Sequence, residues 1–145
     1  MTVTSRRSVL RTAALLPLAL AVPAFAQAQA KKHRLLIAVS DNDPGKWNMV
    51  MNNVKNAQED VGGVDKIDIE VVAYGPGINM LRSETPVAGH INDLLKTGVK
   101  VVGCENTMKN LKLEKSQMMS TIGYVPAAVT EIMRKQEEGW AYVRP

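Results

Sequence analysis

The sequence predicts one α/β domain, a three-layer α/β/α sandwich around a mostly parallel sheet of about five strands. Three observations carry that expectation. Strand-like and helix-like segments alternate from Arg34 to the C-terminus. The first strand, Arg34-Leu35-Leu36-Ile37-Ala38-Val39-Ser40, is a nearly continuous apolar run, as expected where both faces of a sheet are covered. The core is aliphatic: 46% of the 145 residues are hydrophobic and only 4% are aromatic, so Val, Ile, Leu, Ala and Met must fill it around Trp47 and Trp140.

Asp43-Pro44 joins an N-cap residue to a proline at the first helical position. Trp47, Val50, Met51, Val54, Ala57 and Val61 then recur at helical spacing until Gly62-Gly63. The run from Ile67 to Tyr74 alternates at first and ends apolar, which predicts a strand that starts near solvent and ends buried before Gly75-Pro76-Gly77. Thr85 is the expected cap of a second helix over Pro86–Lys96, with Val87, Ile91, Leu94 and Leu95 facing inward and Gly98 closing it. Val99 to Gly103 reads as a third strand, and Cys104 stands where it turns into a helical stretch, Asn106–Leu111. Ile122 to Val125 is a fourth strand. After Pro126 a helix runs from Ala127 to Glu138 with Val129, Ile132 and Met133 along one face, and Trp140 to Val143 is a fifth strand. Such alternation implies parallel strands joined by right-handed crossovers.

The first 30 residues read as a separate unit. Ser5-Arg6-Arg7-Ser8-Val9-Leu10-Arg11 resembles a twin-arginine export signal, and an apolar stretch from Thr12 to Phe25 follows. Small-x-small cleavage sites lie at Ala24-Phe25-Ala26, which is preferred, and at Ala26-Gln27-Ala28 and Ala28-Gln29-Ala30. The stretch is shorter than the ~20 residues of a spanning helix, and Pro17 and Pro23 interrupt it. A cleaved signal over 1–30, a periplasmic domain over 31–145 and no membrane attachment after cleavage are therefore expected. The leader also holds Arg6, Arg7 and Arg11, so that of 18 basic residues 15 remain against 14 acidic ones. That near balance argues against nucleic acid as a partner.

Ligands of parallel α/β sheets bind outside the carboxyl ends of the strands. Here that edge collects Ser40-Asp41-Asn42-Asp43, Tyr74-Gly75-Pro76-Gly77, Cys104-Glu105-Asn106-Thr107 and Gly123-Tyr124-Val125-Pro126. Cys104, the single cysteine, is the one side chain there with obvious covalent chemistry. A thiol where a helix begins sits by unsatisfied N–H groups that favour the thiolate, while Glu105 adds opposing negative charge. Cysteine is also among the most buried residue types, so an inert packed thiol is the alternative reading. In an oxidising compartment a lone thiol is either shielded or used in exchange.

The other motifs read more simply. Gly75-Pro76-Gly77 lacks the third glycine of a dinucleotide loop, which would fall at Met80, and reads as a turn and a backbone wall beside Cys104. Asp41, Asn42 and Asp43 read as capping residues. His33 and His90 form no zinc pattern with Cys104, and neither a metal nor a cofactor is expected. The methionines read as core filling, whereas Trp47, Met51 and Val54 fit either the core or an oligomer face.

Four segments together resemble the DsrE/DsrF-like proteins of sulfur metabolism, and among them the small exported members. They are Asn42-Asp43-Pro44-Gly45-Lys46-Trp47, Val71 to Gly77, Val101-Val102-Gly103-Cys104-Glu105-Asn106-Thr107, and Gly123-Tyr124-Val125-Pro126-Ala127 through to Gln136–Tyr142. The resemblance spans Leu35 to Pro145 and implies a flavodoxin-like sandwich, a homo-oligomer (trimer or hexamer) and a cysteine, matched by Cys104, that carries sulfur as a persulfide. On that reading Cys104 accepts sulfur from a donor protein or small sulfur compound and passes it on. Gly103, Glu105, Asn106, Thr107, Tyr74, Gly75, Gly77, Asn42 and Tyr124 surround it and stabilise the sulfur anion. The alternative is a homo-oligomeric small-ligand-binding or partner-stabilising module with an unreactive cysteine.

Overall fold

The computed structural model describes residues 32–145, and the export signal read over 1–30 lies outside the described residues. The elements are β1 (His33–Val39), α1 (Pro44–Asp60), β2 (Ile67–Ala73), α2 (Ala88–Lys96), β3 (Lys100–Cys104), α3 (Glu105–Asn110), β4 (Gly123–Val125), α4 (Ala128–Glu137) and β5 (Ala141–Val143). All strands pair in parallel, in the order β4-β3-β2-β1-β5. The predicted five-stranded parallel α/β architecture is the observed one.

The strand order decides where each helix lies. From β1 to β4 every crossover steps in the same direction, whereas the chain from β4 to β5 travels back across the sheet. A right-handed crossover that reverses direction must place its helix on the opposite face. Residues of α1, α2 and α3 accordingly share one core, while α4 packs over β1, β2 and β5 on the other face.

The first core is the larger. Asp43 caps α1 by accepting from the Gly45 N–H at 2.8 Å and the Lys46 N–H at 3.4 Å, a contribution of about 1 kcal/mol. Trp47, Val50, Met51 and Val54 then point into the sheet and are buried, so these residues belong to the core. Each buried side chain of this size stabilises the fold by roughly 1.5–3 kcal/mol. Met80, Met108, Met118 and Met119 fill gaps in the same core, as the sequence suggests. The second core is small: Leu36, Ala38, Val72, Cys104 and Ala128, edged by Tyr74, Val102, Val125, Ile132 and Trp140.

Four expectations need correction. Thr85 does not cap α2. The chain makes two successive turns there, with the Thr85 N–H bonded to the Arg82 carbonyl and the Ala88 N–H to the Thr85 carbonyl, so the helix starts at Ala88 behind Val87. Gly75–Leu81 is not merely a turn but a 3₁₀ helix that buries Ile78, Met80 and Leu81. The start of β2 is not uniformly near solvent, because Glu70 is 3% exposed beneath α4. On α4, Ile132 reaches the sheet, but Val129 (69%) and Met133 (50%) are exposed, since a single helix turns only one stripe toward the strands.

Two glycines of the Gly75-Pro76-Gly77 loop have different tasks. Gly75 adopts φ +51°, a left-handed conformation that side chains disfavour. Gly77 lies so close to the end of β1 that a Cβ would overlap the Val39 carbonyl and come within 2.9 Å of Ser40 Cα. Gly77→Ala is therefore expected to lower stability by about 2–3 kcal/mol in urea unfolding. Gly89→Ala, at a helical position where nothing lies within 4 Å, is expected to raise it by about 0.5–1 kcal/mol.

Candidate functional site

Cys104 is the last residue of β3. Side chains alternate along a strand, so Val101 and Gly103 face the first core and Val102 and Cys104 the second. β3 leads into α3, which packs toward the first face, whereas the neighbouring β4 leads into α4 on the other. Cys104 thus stands where adjacent connections part to opposite faces, the place at which doubly wound sheets open a ligand crevice.

The sulfur is met by donors from two segments, α3 and the start of α4. The Ala128 N–H, at the start of α4, donates to Sγ at 3.4 Å. The Thr107 hydroxyl and the N–H groups of Thr107 and Asn106 also act on it, each favouring its charged form. The Asn106 N–H donates to the Pro126 carbonyl at 3.1 Å, which ties α3 to the loop before α4. Thr107 Oγ1 in turn accepts the Gly75 N–H at 3.0 Å. With one lone pair engaged by Gly75, the hydroxyl is free to turn its proton toward the sulfur.

Burial is the largest influence on the Cys104 thiol and pushes its pKa up. The Thr107 hydroxyl and the N–H groups of Ala128, Thr107 and Asn106 together outweigh it, and the pKa lies below the ordinary thiol value. The result is a thiol that ionises more readily than a free one while being only 5% exposed.

Some of the residues expected around the sulfur are there and some are not. Thr107, Asn106, Gly75 and Tyr74 gather at it, directly or through Thr107 and the small second core. Gly77 instead closes the loop against β1. Gly103 faces the first core, where its missing side chain leaves room for Ile78 and Leu81 at 3.2 and 3.4 Å from a notional Cβ. Tyr124 pairs in register with Gly103 and packs against that same core under the Lys115 ammonium, 4.5 Å from its ring. Glu105 bonds Lys115 at 2.9 Å, and its charge is spent there. Asn42 is exposed beyond β1, two strands from β3 and so about 10 Å away across the sheet.

Sequence reading missed Ala128 because its contribution is a backbone N–H and carries no side-chain signal. The clue was the reversal of strand order after β4, which a sequence reveals only once the sheet is assembled. Among the described residues no group of three or more His, Cys, Asp or Glu is arranged to hold a metal ion.

The geometry makes Thr107 testable. Thr107→Val keeps the shape and removes one hydrogen bond to the charged sulfur, about 1.5 kcal/mol, so the thiolate fraction at neutral pH is expected to fall about tenfold. Alkylation of Cys104 by iodoacetamide across pH reads this directly. The midpoint should rise in the valine variant and stay near that of the wild type in Thr107→Ser.

The DsrE/DsrF-like family model matches residues 21–145. A protein of unknown function from Methanobacterium thermoautotrophicum is similar in structure, with TM-score 0.74 and 31% identity over 79% of this chain and 100% of that one. A conserved protein of unknown function from Bacteroides thetaiotaomicron shares the fold, with TM-score 0.63 and 15% identity over 77% of this chain and 94% of that one. No curated protein matches the chain. Since the family model spans residues 21–145 of 145, the chain belongs to the DsrE/DsrF-like family, which is associated with sulfur metabolism.

Proposed function

We propose that the domain is a sulfur carrier in which Cys104 holds sulfane sulfur as a persulfide. The observation that carries this reading is the set of donors converging on Sγ, which favour the thiolate in spite of burial. In the loading step the Cys104 thiolate attacks the sulfane sulfur of a polysulfide or a donor persulfide. A new S–S bond forms, the donor's S–S bond breaks, and its electron pair leaves with the donor as a thiolate. In the unloading step an acceptor thiolate attacks the outer sulfur of the Cys104 persulfide and releases Cys104 as thiolate. Electrons balance without an added oxidant or a metal. The same donors that hold the thiolate suit the negatively charged outer sulfur.

Export belongs to the same proposal. The Ser5–Arg11 segment and the apolar stretch after it support a periplasmic location, and a thiolate–persulfide cycle explains an unpaired cysteine in an oxidising compartment. A homo-oligomer, a trimer or hexamer on the family resemblance, is proposed too, and the exposed Val129, Met133 and Tyr142 support it as apolar surface for subunit contact. A second reading, a ligand-binding or partner-stabilising module with an inert cysteine, draws on the 5% exposure of Cys104.

Intact-mass measurement separates the two readings. With thiols trapped at lysis, the exported wild type exposed to polysulfide is expected to gain mass in whole sulfur atoms, reversibly with reductant, and Cys104→Ser is expected to gain none. A Cys104 that takes up no sulfur and resists alkylation in the folded state would leave the binding module as the function. The same spectrum gives the mature N-terminus, and one before residue 20 would contradict cleavage of the leader.

A further inference from the structure

Glu70 is a charged residue in the middle of an apolar strand and has no part in the thiol's hydrogen bonds. It is 3% exposed on the second face, bonded to Lys135 Nζ of α4 at 3.2 Å, and its Oε1 has no hydrogen-bond partner. Lys135 also lies 3.6 Å from Glu131 and 4.5 Å over the ring of Trp140. Arg34 borders the same ring at 6.0 Å. The remaining charges that act on the pair are Lys100 of β3, toward Glu70, and Glu138, toward Lys135.

Lys135 and Ala128 are two ends of one short helix, seven residues or about 10 Å apart. One end is drawn onto the sheet by a buried ion pair, and the other presents its N–H to Cys104 Sγ. Between them, apolar contact with the sheet comes from Ala128 and Ile132. The hold of α4 on the sulfur therefore depends on where the pair sets the helix. We propose that Glu70 and Lys135 are positioning residues for the thiol: through α4 they set how closely its first turn covers Cys104 and donates to it.

The inference rests on the reading of Cys104 as the working thiol and deepens it, because Cys104 is 5% exposed and packs against Ala128, so loosening that first turn opens a way to the sulfur. A buried pair suits such a role. Removing one partner strands a charge under the helix, whereas replacing both by apolar residues of similar volume restores packing.

The test measures iodoacetamide alkylation of Cys104 in the folded protein across pH, which yields both the titration midpoint and the limiting rate of the thiolate. In Lys135→Met and in Glu70→Gln the midpoint is expected to rise as the Ala128 N–H withdraws, and the limiting rate to rise about fivefold or more as the cover loosens. In the double variant Glu70→Leu, Lys135→Met both are expected to return to within about twofold of the wild type. A purely structural pair would change the unfolding midpoint and leave the titration alone. Should Lys135→Met fail to fold, Glu70→Gln, which preserves volume, decides: a folded Glu70→Gln protein with the wild-type midpoint and limiting rate overturns the proposal, as does a double variant displaced as far as the singles. Alkylation requires no sulfur donor, so a wild type that never loads sulfane sulfur would sink the carrier reading and leave this one standing.

Discussion

Right-handed crossover between parallel strands governs the rest of this molecule. Four strands laid down in one direction leave the last crossover no route but the second face, and so α4 covers that face from its place over β1, β2 and β5. The same reversal brings the start of α4 beside the end of β3. The thiol's environment is thus a consequence of strand order before it is a consequence of any particular side chain.

At that position two opposed effects act on one sulfur. Burial disfavours the charged form, and donors from α3 and α4 favour it. The Thr107 hydroxyl, held by the Gly75 N–H, leads the donors, and the backbone N–H groups that add to it have their orientation set by helix geometry. Little is lost in orienting them when the thiol ionises. Glu105, the charge nearest in sequence, does not count among these influences, since its carboxylate is drawn aside by Lys115.

The two faces of the sheet differ in kind. The first is a continuous aliphatic and methionine-filled core that holds α1 and α2. The second combines a few small apolar side chains with a buried ion pair, one oxygen of which is unsatisfied. Burial raises the Glu70 pKa in spite of Lys135, so the folded state binds a proton there more readily than the unfolded chain does. The ionised pair accordingly contributes less to stability than its short distance suggests, and the stability lost to it is regained as pH falls through the folded pKa of Glu70. The face that covers the thiol is the less firmly packed of the two.

The strands, most of the helices and the edge on which a site must lie were legible in the sequence. Apolar periodicity and capping residues act over a few neighbours, and Asp43, Gly75 and Cys104 announce their places locally. What only the tertiary structure decided is which of the edge residues meet. Gly103 and Tyr124 fall on the far face because a strand alternates, and Asn42 is remote because β2 lies between β1 and β3. Thr85 lost its capping role to two backbone turns. Ala128 gained a role through an N–H that no residue type encodes, and Glu70, in a strand whose start reads as near solvent, was paired with a lysine 65 positions away. Local patterns state what a segment becomes, whereas contacts between distant segments depend on strand order and crossover hand, which are properties of the assembled sheet.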